Sequence, residues 1–216
     1  MAGTIFVIRH GEAEGNHDHR FIGQSDVPLS DLGRRQADKV GGHLASKGVT
    51  RIVASDLQRA VDTAQPLADR IGLDIETDAR LREILNGDWA MHLPAEVKTG
   101  WPDLWRRYES GEDVERPNGE TWGAVGVRVR EVLEELAGGG DGTIAVFCHG
   151  GPTLWAAYWA LGIHLDVSLF HGPLHPAGNA SITSITVPGP KLVAYNETAH
   201  LPRDLAPESD LLPFLD

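Results

Sequence analysis

TIFVIRHGE at residues 4–12 and IAVFCHGG at residues 144–151 are the two stretches that decide the fold. Each begins with an apolar run that is rich in β-branched or aromatic residues, which is typical of a strand buried on both faces of a parallel sheet. Each run then leads into a His-Gly pair, at His10 and at His149. Because ligands of such sheets bind beyond the carboxyl ends of the strands, we expect the two histidines to share one edge and form a site.

Helical segments connect these strands. Ser30 is a favourable N-cap for a helix that continues to about Lys47, and Ser55 could cap a second helix that carries Arg59 and is broken or restarted at Pro66. Further helices are predicted at 121–137 and 152–161, and further strands at 50–54, 180–187 and 191–195. Strands that alternate with helices predict an α/β fold, a three-layer α/β/α sandwich with a mostly parallel central sheet.

The chain of 216 residues is predicted to form one domain over residues 1–202, followed by an acidic, proline-containing tail over 203–216. Residues 88–120 interrupt the alternation of strands and helices, and they are rich in aromatic residues such as Trp89 and Trp105. Two interpretations of this insertion stay open. It forms a small helical lid over a substrate, or it forms an aromatic core of its own.

The charge and the cysteine content limit the class of protein. A formal net charge of −12 argues against partners that are themselves anionic, so we expect neither nucleic acid nor a membrane surface as a partner. The single cysteine and the absence of a signal-like N-terminus predict a cytoplasmic protein. An edge strand of the sheet could pair two chains, so a homodimer stays open. A small phosphorylated substrate remains compatible with this charge if arginine and histidine cluster in one pocket.

The candidate site residues suit phosphate ester cleavage. That reaction needs cations on the phosphoryl oxygens, an in-line nucleophile and a proton for the leaving oxygen. Arg9 and Arg59 can grip the oxygens with their planar guanidinium groups, assisted by a protonated His149. His10 can be the nucleophile and Glu83 the proton donor, which then activates water. This set predicts a reaction without a metal or another cofactor.

The order of the motifs along nearly the whole chain resembles the histidine phosphatase superfamily, which includes the phosphoglycerate mutases. The motifs that carry the resemblance are Arg9-His10-Gly11-Glu12 with Asn16 and Gly23, Ser55-Asp56-Leu57-Gln58-Arg59-Ala60, Leu81-Arg82-Glu83, and His149-Gly150-Gly151. The resemblance implies that His10 becomes the phosphohistidine. Arg9, Arg59 and His149 would then hold the phosphoryl group, with Glu83 as proton donor and base. Asn16, Gly23 and Gly150 are predicted to line the substrate site.

Three activities fit this resemblance. The first is a metal-independent phosphomonoester hydrolase that acts on a small phosphorylated metabolite. The second is a phosphoglycerate mutase, but mutases usually have a longer insertion with several basic residues for the substrate carboxylate. The third is a catalytically inactive relative that binds a phosphorylated ligand. Trp89-Ala90-Met91 also departs from the Trp-Glu-Gly that is frequent in the family, and this affects the expected specificity more than the chemistry.

Other residues are weaker candidates for chemistry. Glu12 competes with Glu83 for the role of the acid, and Arg82 is left out because alternation along an extended chain turns it away from Glu83. The pair His17 and His19 lacks the further ligands of a metal site. Cys148 lacks the arginine that a cysteine phosphatase would need six residues later, where Leu154 stands, so it is predicted to be a small buried residue.

Overall fold

A computed structural model describes residues 3–16, 18–140, 142–163 and 173–206. The described strands are β1 (Gly3–Arg9), β2 (Val49–Ala54), β3 (Ile75–Thr77), β4 (Thr143–Cys148), β5 (Ile182–Val187) and β6 (Lys191–Glu197). The described helices are α1 (Asp31–Leu44), α2 (Gln58–Ile71), α3 (Pro94–Gly100), α4 (Pro102–Glu109), α5 (Trp122–Gly138) and α6 (Gly150–Leu161). No helix within these ranges combines the length and the apolarity that a bilayer crossing requires.

The strands form one sheet in the order β3-β2-β4-β1-β5-β6. The pairs β3-β2, β2-β4 and β4-β1 are parallel, whereas β5 and β6 add to the sheet in antiparallel fashion. The prediction of a mostly parallel sheet is therefore confirmed. Arg9 pairs with Cys148 at the ends of β1 and β4, so the residues that follow both strands leave the sheet at the same edge.

Helices cover both faces of the sheet, because alternate residues of each central strand point to opposite sides. Ile5 and Val7 of β1 pack on one face in a core that includes residues of α5 and α6. Ile8 of β1 and Phe147 of β4 pack on the other face with residues of α1 and α2. These two apolar cores make the three-layer sandwich that the sequence predicts.

The predicted cap at Ser55 is wrong. Helix α2 begins at Gln58, and Leu57 occupies the N-cap position without a side-chain hydrogen bond to the helix. Ser55 is fully buried, and its hydroxyl lies 2.8 Å from His149 Nε2. By contrast, Ser30 caps α1 as predicted, although that helix ends at Leu44 rather than near Lys47.

The predicted break at Pro66 is also wrong, because α2 continues through this residue to Ile71. A proline inside a helix removes one backbone hydrogen bond and costs about 3 kcal/mol. Tertiary packing offsets this cost. Leu67 is fully buried in the core, and the backbone of α2 at Pro66 and Leu67 approaches α1 so closely that it contacts Gly41.

The insertion at 88–120 contains α3, α4 and a dense aromatic cluster. The cluster consists of Trp89, Val97, Trp105, Tyr108 and Val114, and partly buried Phe21 packs against it. This packing agrees with an aromatic core in the insertion. The division into domain, lid and tail, including any movement of a lid, stays a prediction, and residues 207–216 of the tail lie outside the described ranges.

Candidate active site

His10 and His149 meet where β1 and β4 leave the sheet. The backbone N–H of His10 donates to Cys148 O at 2.9 Å, and this bond ties the two strand ends together. The imidazole rings lie edge to face, with their centroids 5.1 Å apart. Both side chains are almost completely buried.

Backbone geometry fixes the tautomer of His10. Its Nδ1 lies 2.6 Å from Gly11 O, and a carbonyl oxygen can only accept a hydrogen bond. The proton therefore sits on Nδ1, and Nε2 carries a lone pair. Arg59 Nε donates to this Nε2 at 3.3 Å, so the lone pair faces the guanidinium group. A neutral nitrogen that faces a cation is placed to attack an anion bound by that cation.

The Arg59 side chain is buried, with only 2% of its surface exposed, and hydrogen bonds hold its guanidinium group in place. Its two terminal nitrogens donate to Gly23 O at 2.6 Å and to Ser25 O at 2.8 Å. Burial lowers the pKa of Arg59 to about 10, so the side chain stays charged at neutral pH. Gly23 has a φ of 54°, and a Cβ there would lie 2.6 Å from Asn86 Nδ2. The glycine thus lets the chain turn sharply behind the arginine and present its carbonyl to it.

Arg9 and the N-terminus of α6 complete the cationic side of the site. Arg9 Nη1 donates to Ala177 O at 2.6 Å, which fixes the guanidinium group at the sheet edge. Helix α6 begins at Gly150, directly after His149, and the N-terminus of a helix favours anions. A Cβ on Gly150 would lie 3.6 Å from Arg9 Nε and 3.7 Å from Glu83 Oε2, so Gly150 lies between the cation and the candidate acid.

The two rival acids have different surroundings. Glu83 Oε2 accepts a hydrogen bond from Gly151 N–H at 3.1 Å, which places its carboxylate at the start of α6. Glu12 instead accepts from the Ser30 hydroxyl at 2.6 Å, at the start of α1. A Cβ on Gly151 would lie 2.5 Å from Glu83 Oε1, so only glycine leaves room for this carboxylate. The geometry favours Glu83 over Glu12 as the acid beside the histidines.

Further polar residues support the site, among them the predicted substrate-site residue Asn16. Thr63 accepts from Gly11 N–H at 3.0 Å and donates to Arg59 O at 2.7 Å, and so joins the His10 loop to α2. Asn179 Nδ2 donates to His10 O at 3.1 Å. Asn16 Oδ1 accepts from Ala13 N–H at 2.8 Å, which leaves the amide NH₂ of Asn16 as its donor toward a ligand. The sequence places Thr63 one turn after Arg59 but assigns it no role, because that role depends on a contact with the distant Gly11.

Both site histidines are neutral at pH 7. Burial, followed by the positive charges of Arg59 and Arg9, holds the pKa of His10 well below its ordinary value of 6.5. Burial also holds the pKa of His149 well below 6.5, with a further contribution from Arg59. The protonated His149 that the sequence analysis assumed is therefore not the form that the folded protein favours. A neutral His149 can still donate one hydrogen bond from Nδ1.

These lowered pKa values predict an acid-sensitive fold. The unfolded chain binds protons near pH 6.5 whereas the folded chain resists them, so the stability is fully present above that pH. Below about pH 6.5, each of the two histidines should lower the free energy of unfolding by about 1.4 kcal/mol per pH unit until its folded pKa is reached. Urea unfolding from about pH 7.5 to 5 measures this slope. His149→Gln should remove about half of the contribution of the two site histidines, and an unchanged slope in this variant would contradict the assignment.

Arg82 and Cys148, which the sequence excludes from the chemistry, have side-chain surroundings that suit structural roles. Arg82 makes a two-pronged ion pair with Asp56, at 2.7 and 2.5 Å. Cys148 is fully buried in the core, and burial raises the pKa of its thiol to about 12. Of the histidine pair His17 and His19, His17 lies outside the described ranges. Across the part of the chain that the structure describes, no three metal-ligating side chains come together.

Comparisons with known proteins agree with this geometry. A family model of the histidine phosphatase superfamily (branch 1) matches residues 5–198. A probable phosphoglycerate mutase GpmB from Yersinia enterocolitica is 39% identical over 132 residues, which are 60% of this chain and 61% of that protein. The match thus spans less than two thirds of this relative.

Two solved structures share the fold over most of the chain. A mycobacterial glucosyl-3-phosphoglycerate phosphatase is 30% identical with a TM-score of 0.80, over 92% of this chain and all of that chain. A phosphoserine phosphatase variant from Entamoeba histolytica, solved with phosphoserine, is 26% identical with a TM-score of 0.79. That match covers 92% of this chain and 99% of the other.

Proposed function

Because the chain belongs to the histidine phosphatase superfamily, we propose that it hydrolyses small phosphate monoesters through a phosphohistidine on His10. The observation that carries this proposal is the orientation of the His10 ring. The Nδ1–H bond to Gly11 O fixes the proton on one side of the ring, and Nε2 faces the Arg59 guanidinium on the other. A nucleophile in this arrangement needs no base to activate it.

The proposed reaction has two steps. In the first, His10 Nε2 forms a bond to phosphorus while the bond from phosphorus to the ester oxygen breaks, and Glu83 gives its proton to that oxygen. In the second, the Glu83 carboxylate takes a proton from water, and the oxygen of that water attacks phosphorus. The bond to His10 then breaks, inorganic phosphate leaves, and Glu83 is protonated again.

The cationic side chains supply charge stabilisation in both steps. Arg9 and Arg59 would hold the phosphoryl oxygens, as planar guanidinium groups do elsewhere. His149 would add a hydrogen bond. Its Nε2 lies 2.8 Å from the Ser55 hydroxyl, and its buried Nδ1 contacts no hydrogen-bond partner among the described residues. If the hydroxyl donates to Nε2, Nδ1–H is left to donate to the substrate.

A phosphoglycerate mutase is the second candidate, and the 39% identical relative with that probable name favours it. The basic residues of the insertion support the phosphatase instead. Lys98, Arg106 and Arg107 form exposed ion pairs within the insertion. Arg116 is 1% exposed, and its guanidinium carbon lies 5.2–5.6 Å from the rings of three aromatic residues. Each of these cations thus already has a partner within the protein, which favours the phosphatase.

Trapping of the intermediate tests the proposal. Acid-labile, base-stable label on the protein is expected after a brief reaction with a ³²P-labelled aryl phosphate, in excess chelator as well as without it. His10→Gln should take up no label. In a parallel assay, 3-phosphoglycerate primed with bisphosphoglycerate should isomerise far below the enzyme range of about 1–1,000 per second. Isomerisation within that range would favour the mutase, and activity that depends on a divalent ion would contradict the mechanism.

A further inference from the structure

The candidate acid lies on a segment that has no regular secondary structure. Glu83 follows a short 3₁₀ turn, Ala79–Leu81, and precedes another, Gly87–Trp89. Its carboxylate accepts from Ile84 N–H at 2.9 Å and from Gly151 N–H at 3.1 Å. A loop of this kind has no backbone ladder to hold it, so the position of the carboxylate depends on contacts from other elements.

Arg128 of α5 supplies three of these contacts. Its Nη1 donates to Arg80 O at 2.7 Å and to Arg82 O at 2.5 Å. Its Nη2 donates to Glu83 O at 3.0 Å. One guanidinium group thus binds three carbonyl oxygens of the acid-bearing segment. The side chain is only 16% exposed, so water competes weakly for these hydrogen bonds.

Glu120 completes the arrangement from the other side. Its carboxylate accepts from Arg128 Nε at 3.2 Å and from Arg128 Nη2 at 3.1 Å. It also accepts from Leu85 N–H at 2.8 Å, and the Glu120 backbone N–H donates to Leu85 O at 2.9 Å. The ion pair therefore binds backbone groups both before and after Glu83 in the sequence, and we call it the Arg128–Glu120 clamp.

We propose that the Arg128–Glu120 clamp is a positioning device that holds Glu83 in place for proton transfer to the leaving oxygen. Neither residue touches the substrate in this proposal, which rests on the proposed function. An ion pair on a surface would contribute little, but here Arg128 Nε and Nη2 bind a carboxylate while Nη1 and Nη2 bind carbonyls. A displacement of about 1 Å in a catalytic group can lower a rate about 100-fold.

The leaving group distinguishes positioning from mere stabilisation of the fold. An alkyl phosphate needs a proton on its departing oxygen, whereas nitrophenolate departs without one. In Arg128→Met, kcat/KM for glycerol phosphate should therefore fall about 10- to 100-fold, and that for p-nitrophenyl phosphate should change less than about threefold. The ratio kcat/KM is the right measure because it reports formation of the phosphohistidine and not its hydrolysis.

A matched control is two residues away on the same helix. Arg130 forms an exposed ion pair with Glu134 at 2.7 Å, so Arg130→Met should leave both substrates unaffected. In a Glu83→Gln background, Arg128→Met should cause no further loss on glycerol phosphate, because the group that it positions has been removed. Equal losses on both esters, or a full additional loss in the double variant, would overturn the proposal and leave a structural role.

Glu120→Gln keeps the proposal testable if Arg128→Met does not fold. This variant retains the size and an acceptor for Leu85 N–H but loses the charge that pairs with Arg128, so we expect the same leaving-group selectivity with a smaller loss. Equal losses on the two esters in this variant would count against the clamp. A failure of the proposed function would appear differently, as an absence of label on His10 in the unaltered protein.

Discussion

His10→Ala is expected to lower kcat for p-nitrophenyl phosphate by roughly four orders of magnitude or more, the scale of loss seen when a covalent nucleophile is removed. Among the described residues next to His10, Nε2 of His149 is already bonded to the Ser55 hydroxyl, and the Cys148 thiol is a poor replacement for the lost nitrogen. The Cys148 thiol is fully buried on the core side of β4, and its pKa is raised to about 12. Steady-state hydrolysis of the aryl ester measures the effect, and it requires preparations free of contaminating phosphatases.

A second histidine variant provides the control. His43→Ala removes an imidazole of α1 that lies outside the site and packs at a tilt against His200, with ring centroids 5.3 Å apart. Activity should therefore stay within about twofold. Phosphate should still bind to His10→Ala, because Arg9 and Arg59 remain. Undiminished hydrolysis in His10→Ala would show that His10 is not the nucleophile. An absence of hydrolysis in the unaltered protein would instead make an inactive, ligand-binding relative the better account.

Local patterns made much of the fold readable from the sequence. Ser30 precedes a helix and accepts the backbone N–H three positions after it, so the preference of serine for N-caps was sufficient. The apolar runs of β1 and β4 likewise predicted buried parallel strands from their local composition. Each of these features depends on a few consecutive residues, and the structure confirms the elements with shifts of a few residues at their ends.

The remaining features depend on residues that are distant in sequence. Ser55 has the composition of a cap, but β4 brings His149 within 2.8 Å of its hydroxyl, and no local pattern contains that pairing. Pro66 stays in α2 because burial of the helix outweighs a local penalty. The sequence alone does not show whether Glu83 or Glu12 is the acid. They differ only because Gly151 N–H meets one carboxylate and the Ser30 hydroxyl meets the other.

Gly33 illustrates the same limit with a large expected effect. It is the third residue of α1, where replacement by alanine would ordinarily stabilise a helix by up to about 1 kcal/mol. The structure reverses this expectation. A Cβ on Gly33 would lie 1.9 Å from Glu12 O, and a Cβ on Gly11 would lie 2.5 Å from Gly33 O. The helix and the loop after His10 are therefore in direct backbone contact, and no change of side-chain rotamer can relieve the overlap.

Gly33→Ala should consequently destabilise the fold by about 3 kcal/mol, at the upper end of the range for overpacking, and should lower activity by displacing the Gly11 carbonyl that orients His10. Gly42→Ala, on the same helix, is the matched control, because a Cβ there meets nothing within 4 Å. It should instead stabilise the protein by about 0.5–1 kcal/mol. Urea unfolding and kcat/KM of both variants measure these opposite signs. Equal stability of the two variants would show that the loop yields to the extra methyl group, and the orientation of His10 would then not depend on this contact.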